Sequence, residues 1–417
     1  MQALSQQLSQ FLNSSPTPFH ATQTIKNRLQ SKGFIALDES ASWDLIEGKR
    51  YFVTRNDSSI IAFNFSKALK SGWHIVGAHT DSPALKIKPN ANLQQAGVNQ
   101  VALEVYGGAL LNPWFDRDLS LAGRVSFMDK EGMIKDVMID FKRPIAIIPS
   151  LAIHLDNNAN KERAINEQKH LPAVIGLKKE QSFHDLLESE ISDKTLDKIL
   201  GYDLFLYDTQ SAGTLGVDSE LFVSARLDNL LSCFCGLEAL IEADESSPSL
   251  ITFHDHEEVG SNSYHGAQSN FLESVLERIS QSREHFSQVM TNSMMVSTDN
   301  AHAWHPNYQD VHEPEHAPII GEGIAIKHHA NQSYATDSVT TANFLKYAHK
   351  VKINTQDYVV RSDMRCGSTI GPITATKLGL KTIDIGIPTW AMHSIRETAA
   401  LKDIEDMMKV LTAFFNR

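Results

Sequence analysis

Histidines and carboxylates follow several short apolar runs of this sequence. The run Trp73–Ala78 stops at His79-Thr80-Asp81, and the run Leu250–Phe253 continues into His254-Asp255-His256-Glu257-Glu258. Three further segments end in groups of the same kind, namely Asp228 after residues 224–227, Asp299 after residues 293–298, and His393 some way beyond residues 382–385. Imidazole and carboxylate suit a zinc-class ion, and catalytic zinc sites keep one coordination position open for water. These residue types therefore indicate metal-dependent hydrolysis.

The adjacent pair Glu257-Glu258 fits a site with two metal ions. Neighbouring residues at a strand end point in different directions, so one carboxylate can bind metal while the other takes a proton from water. Two ions about 3.5–4 Å apart also need a carboxylate that bridges them. Each group has a plainer interpretation when taken alone: His79 and Asp81 as a satisfied pair, Glu257-Glu258 as a solvated turn, and Asp228 as the N-cap of the next helix.

Alternating helices and strands would bring these groups to one edge of a sheet. The periodicity predicts helices over residues 4–12, 21–30, 228–243, 269–280 and 404–415, and strands over residues 59–63, 73–78, 250–253, 293–297 and 382–385. Such alternation is typical of an α/β fold with a mainly parallel sheet and helices on both faces. Ligands bind such sheets outside the carboxyl ends of the strands, where these polar groups fall.

The middle of the chain has a different residue pattern from its two ends. Short β-rich segments, separated by Gly, Asn, Pro and Asp, cover residues 101–106, 121–128, 133–141 and 145–153. We therefore predict a catalytic domain built from residues 1–88 and 224–417, interrupted by a β-rich insert over residues 89–223.

Composition limits the classes of partner. The chain has 417 residues, 42% of them apolar, and a net charge of −12, which argues against nucleic acid or an anionic membrane as the main partner. Its three cysteines imply no disulfide framework, and no run approaches the length of about 20 apolar residues that a membrane span needs. We expect a cytoplasmic protein.

Other motifs carry less weight. His312-Glu313-Pro314-Glu315-His316 matches the zincin pattern H-E-x-x-H, which works only on a helix, and Pro314 disfavours a helix there. We interpret that segment as a loop. Gly321-Glu322-Gly323 lacks the third glycine of a dinucleotide fingerprint, and the sequence contains no Gly-x-Ser-x-Gly elbow.

We expect Cys233, Cys235 and Cys366 to be buried and inert.

A set of motifs, in order along nearly the whole chain, resembles the M18 family, the aspartyl aminopeptidases. They are His79-Thr80-Asp81-Ser82-Pro83, Trp114-Phe115-Asp116-Arg117-Asp118-Leu119, Ser224-Ala225-Arg226-Leu227-Asp228-Asn229, His256-Glu257-Glu258-Val259-Gly260-Ser261, His302-Ala303-Trp304-His305-Pro306-Asn307-Tyr308 and Met392-His393-Ser394-Ile395-Arg396-Glu397.

The resemblance implies a role for each site residue. His79 and Asp299 would hold one divalent ion, Glu258 and His393 the other, with Asp228 between them. Zinc is expected, with manganese or cobalt as alternatives at one site. Asp81 would orient His79, and Glu257 would be the general base. The insert would mediate self-association into a homo-dodecamer, in which His154 reaches a neighbouring active site and stabilises the oxyanion.

The resemblance also implies the substrate, a peptide with a free and acidic N-terminus. Lys327 matches the family's basic residue for an Asp or Glu side chain, and Tyr334 lies in the same substrate-binding segment. The sequence departs from the family pattern at residues 328–333 and at Met364-Arg365, so the strictness of the acidic preference stays open. Two other hypotheses fit these residues: a two-metal deacylase of small amides, and a homo-oligomer whose metals are structural.

Overall fold

The computed structural model describes residues 2–66, 72–177, 182–280 and 282–416. They form two compact units. The first contains Met1–Asp81, Ala212–Met392 and Glu397–Arg417, and the second contains Ser82–Ser211 and His393–Arg396.

The helices are α1 (Gln2–Asn13), α2 (Pro18–Ser31), α3 (Glu167–His170), α4 (Phe183–Glu190), α5 (Leu227–Glu242), α6 (Phe271–Ile279), α7 (Arg283–Asn292), α8 (Ser338–Lys350), α9 (Ile370–Leu378) and α10 (Leu401–Phe415). The strands are β1 (Ile35–Ala36), β2 (Arg50–Arg55), β3 (Ser59–Asn64), β4 (His74–His79), β5 (Ala84–Gln95), β6 (Val98–Tyr106), β7 (Leu119–Asp129), β8 (Ile134–Asp140), β9 (Ala173–Gly176), β10 (Leu196–Asp208), β11 (Gly213–Leu215), β12 (Leu221–Ser224), β13 (Ser249–His254), β14 (Met294–Thr298), β15 (Ala301–His302), β16 (Ile324–His328), β17 (Thr355–Val359), β18 (Lys381–Gly386), β19 (Pro388–Trp390) and β20 (Glu397–Ala400).

The first unit is built on a nine-stranded mixed sheet of order β1-β2-β3-β13-β4-β14-β18-β16-β17. Its four central strands, β13, β4, β14 and β18, run parallel to one another. The flanking pairs β3–β13, β2–β3 and β16–β18 are antiparallel. A smaller sheet of order β11-β12-β20-β19-β15 belongs to the same unit. The parallel centre matters for the site because its carboxyl ends meet at one edge.

Two apolar cores lie on opposite faces of the large sheet. Ile60 and Ala62 pack with helices α1, α2, α5, α8 and α10, whereas Ile61 and Phe63 pack with α6, α7 and α9. Successive side chains of a strand point to opposite faces, so this alternation places helices on both sides. Strands β3, β4, β13 and β14 are buried along their whole length for that reason.

The second unit is a six-stranded sheet of order β8-β7-β10-β5-β6-β9 in which every pairing is antiparallel. Its own core contains Leu121, Val125, Ile139 and Leu204. The boundary predicted between residues 88 and 89 falls inside β5, and β12, which contains residues 221–224, pairs with β20 of the first unit.

Most predicted elements have counterparts, with two kinds of difference. The strand predicted over residues 145–153 is wrong: only isolated bridges form, at Ala146 and Ile147. Pro144 precedes this run and Pro149 lies inside it, and neither can donate to a ladder. Helices α3, α4, α7, α8 and α9 have no predicted counterpart. The sequences of α7–α9 are rich in Ser, Thr, Asn, Val, Gly and Pro, residues of low helix propensity.

The cysteines behave as expected at two of three positions. All three are free thiols, and burial raises the pKa of Cys233 and of Cys235 well above the usual value, so both stay protonated and inert. Cys366 is only partly buried. Within the described ranges, no helix has both the length and the apolar character to cross a bilayer.

Gly123 in β7 gives a test of the second unit. Its φ is +150°, and a Cβ there would lie 2.0 Å from the Asp203 carbonyl oxygen of β10. We expect Gly123→Ala to lower the free energy of unfolding by about 2–4 kcal/mol, because strand backbones would have to separate. Gly201→Ala in β10 is the control, since a Cβ there meets nothing within 4 Å. Urea unfolding of both variants checks this, and equal midpoints would contradict it.

Candidate metal centre

Three of the predicted ligands meet at the carboxyl end of the parallel strands. His79 is the last residue of β4, Asp299 follows β14, and Asp228 lies at the start of α5. The Nε2 atom of His79 is 3.4 Å from Asp228 Oδ1 and 3.7 Å from Asp299 Oδ1. Glu257 Oε2 lies 4.0 Å from the same nitrogen. The imidazole and the Asp228 carboxylate are almost completely buried.

Asp81 links the imidazole to the glutamate pair. Its Oδ1 and Oδ2 accept hydrogen bonds from the backbone N–H groups of Glu257 (3.2 Å) and Glu258 (3.1 Å). Its backbone carbonyl lies 3.1 Å from His79 Nδ1, and its Oδ1 lies 3.4 Å from the same nitrogen. A proton on Nδ1 therefore has partners on Asp81, which leaves Nε2 directed at the carboxylates.

Unusual backbone conformations present the acidic side chains. Arg226 and His256, which precede Asp228 and Glu257, both have a left-handed conformation, with φ of +60° and +64°. The Asp228–Asn229 peptide bond is cis. A single turn of 3-10 helix, Glu257–Val259, then ends at Gly260, whose φ is +95°. Short turns of this kind direct adjacent glutamates to different places.

Glu397 and Asn229, to which the motifs assign no role, fix the backbone next to Asp228 and Asp299. Glu397 is buried, and its Oε2 accepts a hydrogen bond of 3.1 Å from the backbone N–H of Asp228. Asn229 donates from Nδ2 to the Thr298 carbonyl at 2.8 Å, one residue before Asp299. Glu397 and Asn229 each end a motif that the sequence shares with the M18 pattern, and that position was the available signal for both.

The crowded carboxylates shift two protonation equilibria. Burial disfavours the imidazolium of His79, but hydrogen bonds with Asp228, Asp299 and Asp81 outweigh that effect and raise its pKa well above the usual value. Burial also raises the pKa of Glu257 to about 8; the imidazolium opposes this shift and neighbouring carboxylates add to it. The metal-free protein therefore holds extra protons here.

The donor set fits a divalent metal of the zinc class. One imidazole nitrogen and several carboxylate oxygens converge, and the spacing of 3.4–3.7 Å between His79 and its two aspartates is close to the ligand separation of about 3.3–3.4 Å around tetrahedral zinc. Glu257 and Glu258 offer atoms within 4.8 Å of each other and of a ring nitrogen of His79. The carboxylate groups are thus numerous enough to bind more than one ion.

Two other predicted residues lie in the second unit. His393 belongs to it by packing, and there its Nδ1 lies 3.1 Å from the Gly108 carbonyl oxygen. His154 is exposed on the irregular segment between β8 and α3. The ligand role of His393 and the catalytic role of His154 stay predictions.

The predicted substrate residues Lys327 and Tyr334 lie beside the site. The Lys327 ammonium is buried, 3.2 Å from Asp299 Oδ2 and 5.1 Å from the centroid of the Tyr334 ring. Burial raises the pKa of the Tyr334 hydroxyl well above its usual value, so it stays protonated. The lysine therefore contacts a predicted metal ligand directly.

A cavity of about 410 Å³ lies in the same unit as this lysine. Tyr358 lines it and lies 6.3 Å, ring to ring, from Tyr334. Its other walls include His302, His305, Met364, Arg365 and Trp390. His312 and His316 also line it, on a segment that is not helical, which confirms the interpretation of residues 312–316 as a loop.

The fold and this centre define an α/β protein with an imidazole–carboxylate metal site. The family model described as aminopeptidase I zinc metalloprotease (M18) matches residues 11–415. A probable M18 family aminopeptidase 2 of Ectopseudomonas mendocina (strain ymp) is 50% identical over 421 residues, covering 99% of this chain and 98% of that protein. The chain belongs to the M18 family and is a zinc-dependent aminopeptidase, a hydrolase of N-terminal peptide bonds.

Solved structures agree with this assignment. A chain in the cryo-EM structure of the Ape4 and Nbr1 complex is 39% identical, with a TM-score of 0.95 over 99% of this chain and 85% of that one. The S. cerevesiae mApe1 dodecamer is 28% identical, with a TM-score of 0.85 over 99% of this chain and 96% of that one.

The raised pKa values predict how the stability of the metal-free enzyme depends on pH. Folded Glu257 binds a proton up to a pH of about 8, whereas the unfolded chain releases it near the ordinary glutamate pKa of 4.5. The folded state thus holds more protons between these values, and its stability falls as pH rises. His79, whose pKa is also raised, acts in the same direction above pH 6.5. We expect chelator-treated protein to lose stability from pH 5 to pH 8.

Glu257→Gln isolates the glutamate's share of this loss. Chemical unfolding at several pH values should give a slope about 1 kcal/mol per pH unit shallower for the metal-free variant, since one linked proton contributes about 1.4 kcal/mol per unit. Parallel slopes for wild type and variant would contradict the assignment.

Proposed function

We propose that this enzyme uses two zinc ions, held by His79 and Asp299 at one position and by Glu258 and His393 at the other, with Asp228 shared. Manganese or cobalt could replace zinc at one of them. The observation that carries the proposal is the convergence of Asp228 and Asp299 on Nε2 of His79, with Glu257 beside them. Surplus carboxylate in a buried site favours a second cation.

Bound metal would polarise the scissile carbonyl and lower the pKa of water toward neutrality. Glu257 acts as the general base: it accepts a proton from the attacking water and donates it to the leaving nitrogen as the C–N bond breaks. The two backbone hydrogen bonds to Asp81 hold the base and Glu258 in register with His79. Asp81 is therefore a positioning residue.

Selectivity for Asp or Glu at the N-terminus rests on Lys327. Its ammonium is the positive charge buried against Asp299, and the Tyr334 ring covers one side of it. Arg365 adds a second positive charge on the cavity wall. A substrate carboxylate would be attracted to both. The free α-amino group of the substrate would meet the carboxylates of the site, which restricts cleavage to the first peptide bond.

Self-association through the second unit is part of the proposal. Leu151, Ile153 and Leu155 alternate with Ala152 and His154, and they expose 57%, 48% and 74% of their surface. Exposed apolar groups so close together are typical of a surface that binds protein. With the dodecamer formed by S. cerevesiae mApe1, this segment supports a homo-dodecamer in which His154 serves a neighbouring site. The net charge of −12 and the free thiols suit the cytoplasm.

Glu257→Gln should lower kcat by about 10²–10⁴-fold while the protein keeps its zinc, because the amide cannot accept the proton. Glu258→Gln is the matched neighbour: it should lose zinc as well as activity. Steady-state kinetics with metal analysis of both variants checks this. Full activity in Glu257→Gln would remove Glu257 from the mechanism.

Lys327→Met should abolish the preference for acidic N-termini, with kcat/KM for Asp- and Glu-initiated peptides falling by 10-fold or more relative to Ala-initiated ones. The measurement is release of free amino acid from a peptide panel, with N-acetylated peptides as controls. Cleavage of the acetylated peptides would contradict the proposed recognition of the free α-amino group. An unchanged preference in the variant would place acidic recognition elsewhere, with Arg365 as the next residue to replace.

A further inference from the structure

A second group of potential ligands lies on the same loop as the glutamate pair and shares no residue with it. Asp255 and His256 directly follow β13, and His265 returns to them from the loop before α6. Asp255 and His265 are buried, with 3% and 5% of their surface exposed, whereas the His256 side chain is 31% exposed. We call these three residues the Asp255 cluster.

The distances within the Asp255 cluster suit ligands of one ion better than hydrogen bonds. Oδ2 of Asp255 is 3.4 Å from Nε2 of His265 and 3.9 Å from Nε2 of His256. Ordinary N–H···O bonds span about 2.7–3.2 Å. Ligands on tetrahedral zinc lie about 3.3–3.4 Å apart, given Zn–N and Zn–O bonds of about 2.0–2.2 Å. The catalytic His79–Asp228 pair has the same 3.4 Å spacing.

The remaining contacts direct the donor atoms inward. Oδ1 of Asp255 accepts a hydrogen bond of 2.8 Å from the backbone of His256, and the Asp255 backbone N–H donates to Ser59 Oγ at 2.9 Å. Oδ2 is therefore the oxygen that faces the imidazoles. The two imidazole rings lie 4.6 Å apart at an angle of 47°, so they are not stacked face to face.

The buried groups of the Asp255 cluster lack strong partners. In the described ranges, Asp255 forms no ion pair with a lysine or arginine, only the two long contacts with histidine. Nδ1 of His265 has no hydrogen-bond partner among those residues, and its Nε2 has, besides Asp255, only the Asn56 amide at 3.4 Å. A carboxylate and an imidazole buried in this way are costly unless something compensates them.

We propose that the Asp255 cluster binds a further divalent cation of the zinc class. Two imidazoles and one carboxylate are ligands that zinc accepts, and three protein ligands leave one position for water on the exposed side of His256. The ion would fasten the end of β13 to the loop of residues 256–265, which carries Glu257 and Glu258. Its role is to hold that loop in place rather than to act on substrate.

Counting bound zinc tests this inference without any assay of activity. Zinc-loaded protein, dialysed and analysed by mass spectrometry of the metal, should contain one zinc per chain fewer in His265→Gln and in His256→Gln than in wild type. His184→Gln, at an exposed position in α4, is the matched control and should lose none. Asp255→Asn, which keeps the volume of the side chain, should also lose one. Equal counts in wild type and all three cluster variants overturn the inference.

A double variant separates the cluster from the catalytic centre. If His265→Gln lost zinc only by disturbing Glu258, Glu258→Gln/His265→Gln would hold as much zinc as Glu258→Gln alone, and the inference would fail. Independent sites require the double variant to hold one zinc fewer than Glu258→Gln. The comparison depends on differences between counts, so it holds whatever number of ions the catalytic centre takes. Circular dichroism of each variant establishes that it is folded.

Discussion

Mutual repulsion among carboxylates in a nearly dry site is the constraint that organises this protein. Asp81, Asp228, Glu257 and Asp299 surround the single imidazole of His79, and a low-dielectric interior strengthens every repulsion between them. Other groups of the chain compensate part of this repulsion. Backbone N–H groups stabilise the Asp81 carboxylate by hydrogen bonds, and the Lys327 ammonium forms an ion pair with one oxygen of Asp299. Protons or metal must supply the rest, which links metal binding, pH and stability in one place.

The nine-stranded sheet fixes the positions of these carboxylates. Strands β13, β4 and β14 are parallel neighbours, so the residues that follow them emerge at one edge whether or not they are close in sequence. Both faces of these strands are covered by apolar cores, and the edge therefore has little freedom to relax away from its own charges. Rigid elements hold the ligands, while the short turn at Glu257–Val259 supplies the two different directions that the glutamates require.

The same loop joins the catalytic and proposed additional metal positions. Asp255 and His256 come directly before Glu257, so an ion at the Asp255 cluster would hold the loop from its other side. Asp81 holds it through the backbone of the glutamates. A loop fixed at both ends keeps its general base within the few tenths of an ångström that proton transfer requires. The exact position of the Glu257 carboxylate would thus depend on contacts made by residues that do not touch the reacting atoms.

Much of this could be read from the sequence, for reasons that are local. Apolar runs such as Leu250–Phe253, ended by polar residues, predicted the central strands, and the strongly apolar α5 was equally plain. Strand-end positions and motif order together indicated His79, Asp228, Glu257, Glu258 and Asp299, five residues that the structure brings into one centre. Helices α7–α9 were missed because residues of low helix propensity, such as Ser, Thr, Asn, Val, Gly and Pro, make up much of their sequences. Residues 145–153 were misjudged because prolines break the ladder that their β-branched residues suggest.

Tertiary structure alone decided the remainder. Pairing of Lys327 with Asp299, the hydrogen bond from Asp228 to Glu397, and the meeting of His265 with Asp255 join residues far apart in sequence or separated by an irregular loop. Sequence determines which residue types stand at strand ends, because periodicity and turn chemistry are local properties. Distances between side chains, and the pKa shifts that follow from them, depend on how the strands are ordered in the sheet and how deeply their ends are buried, and no local pattern contains that information.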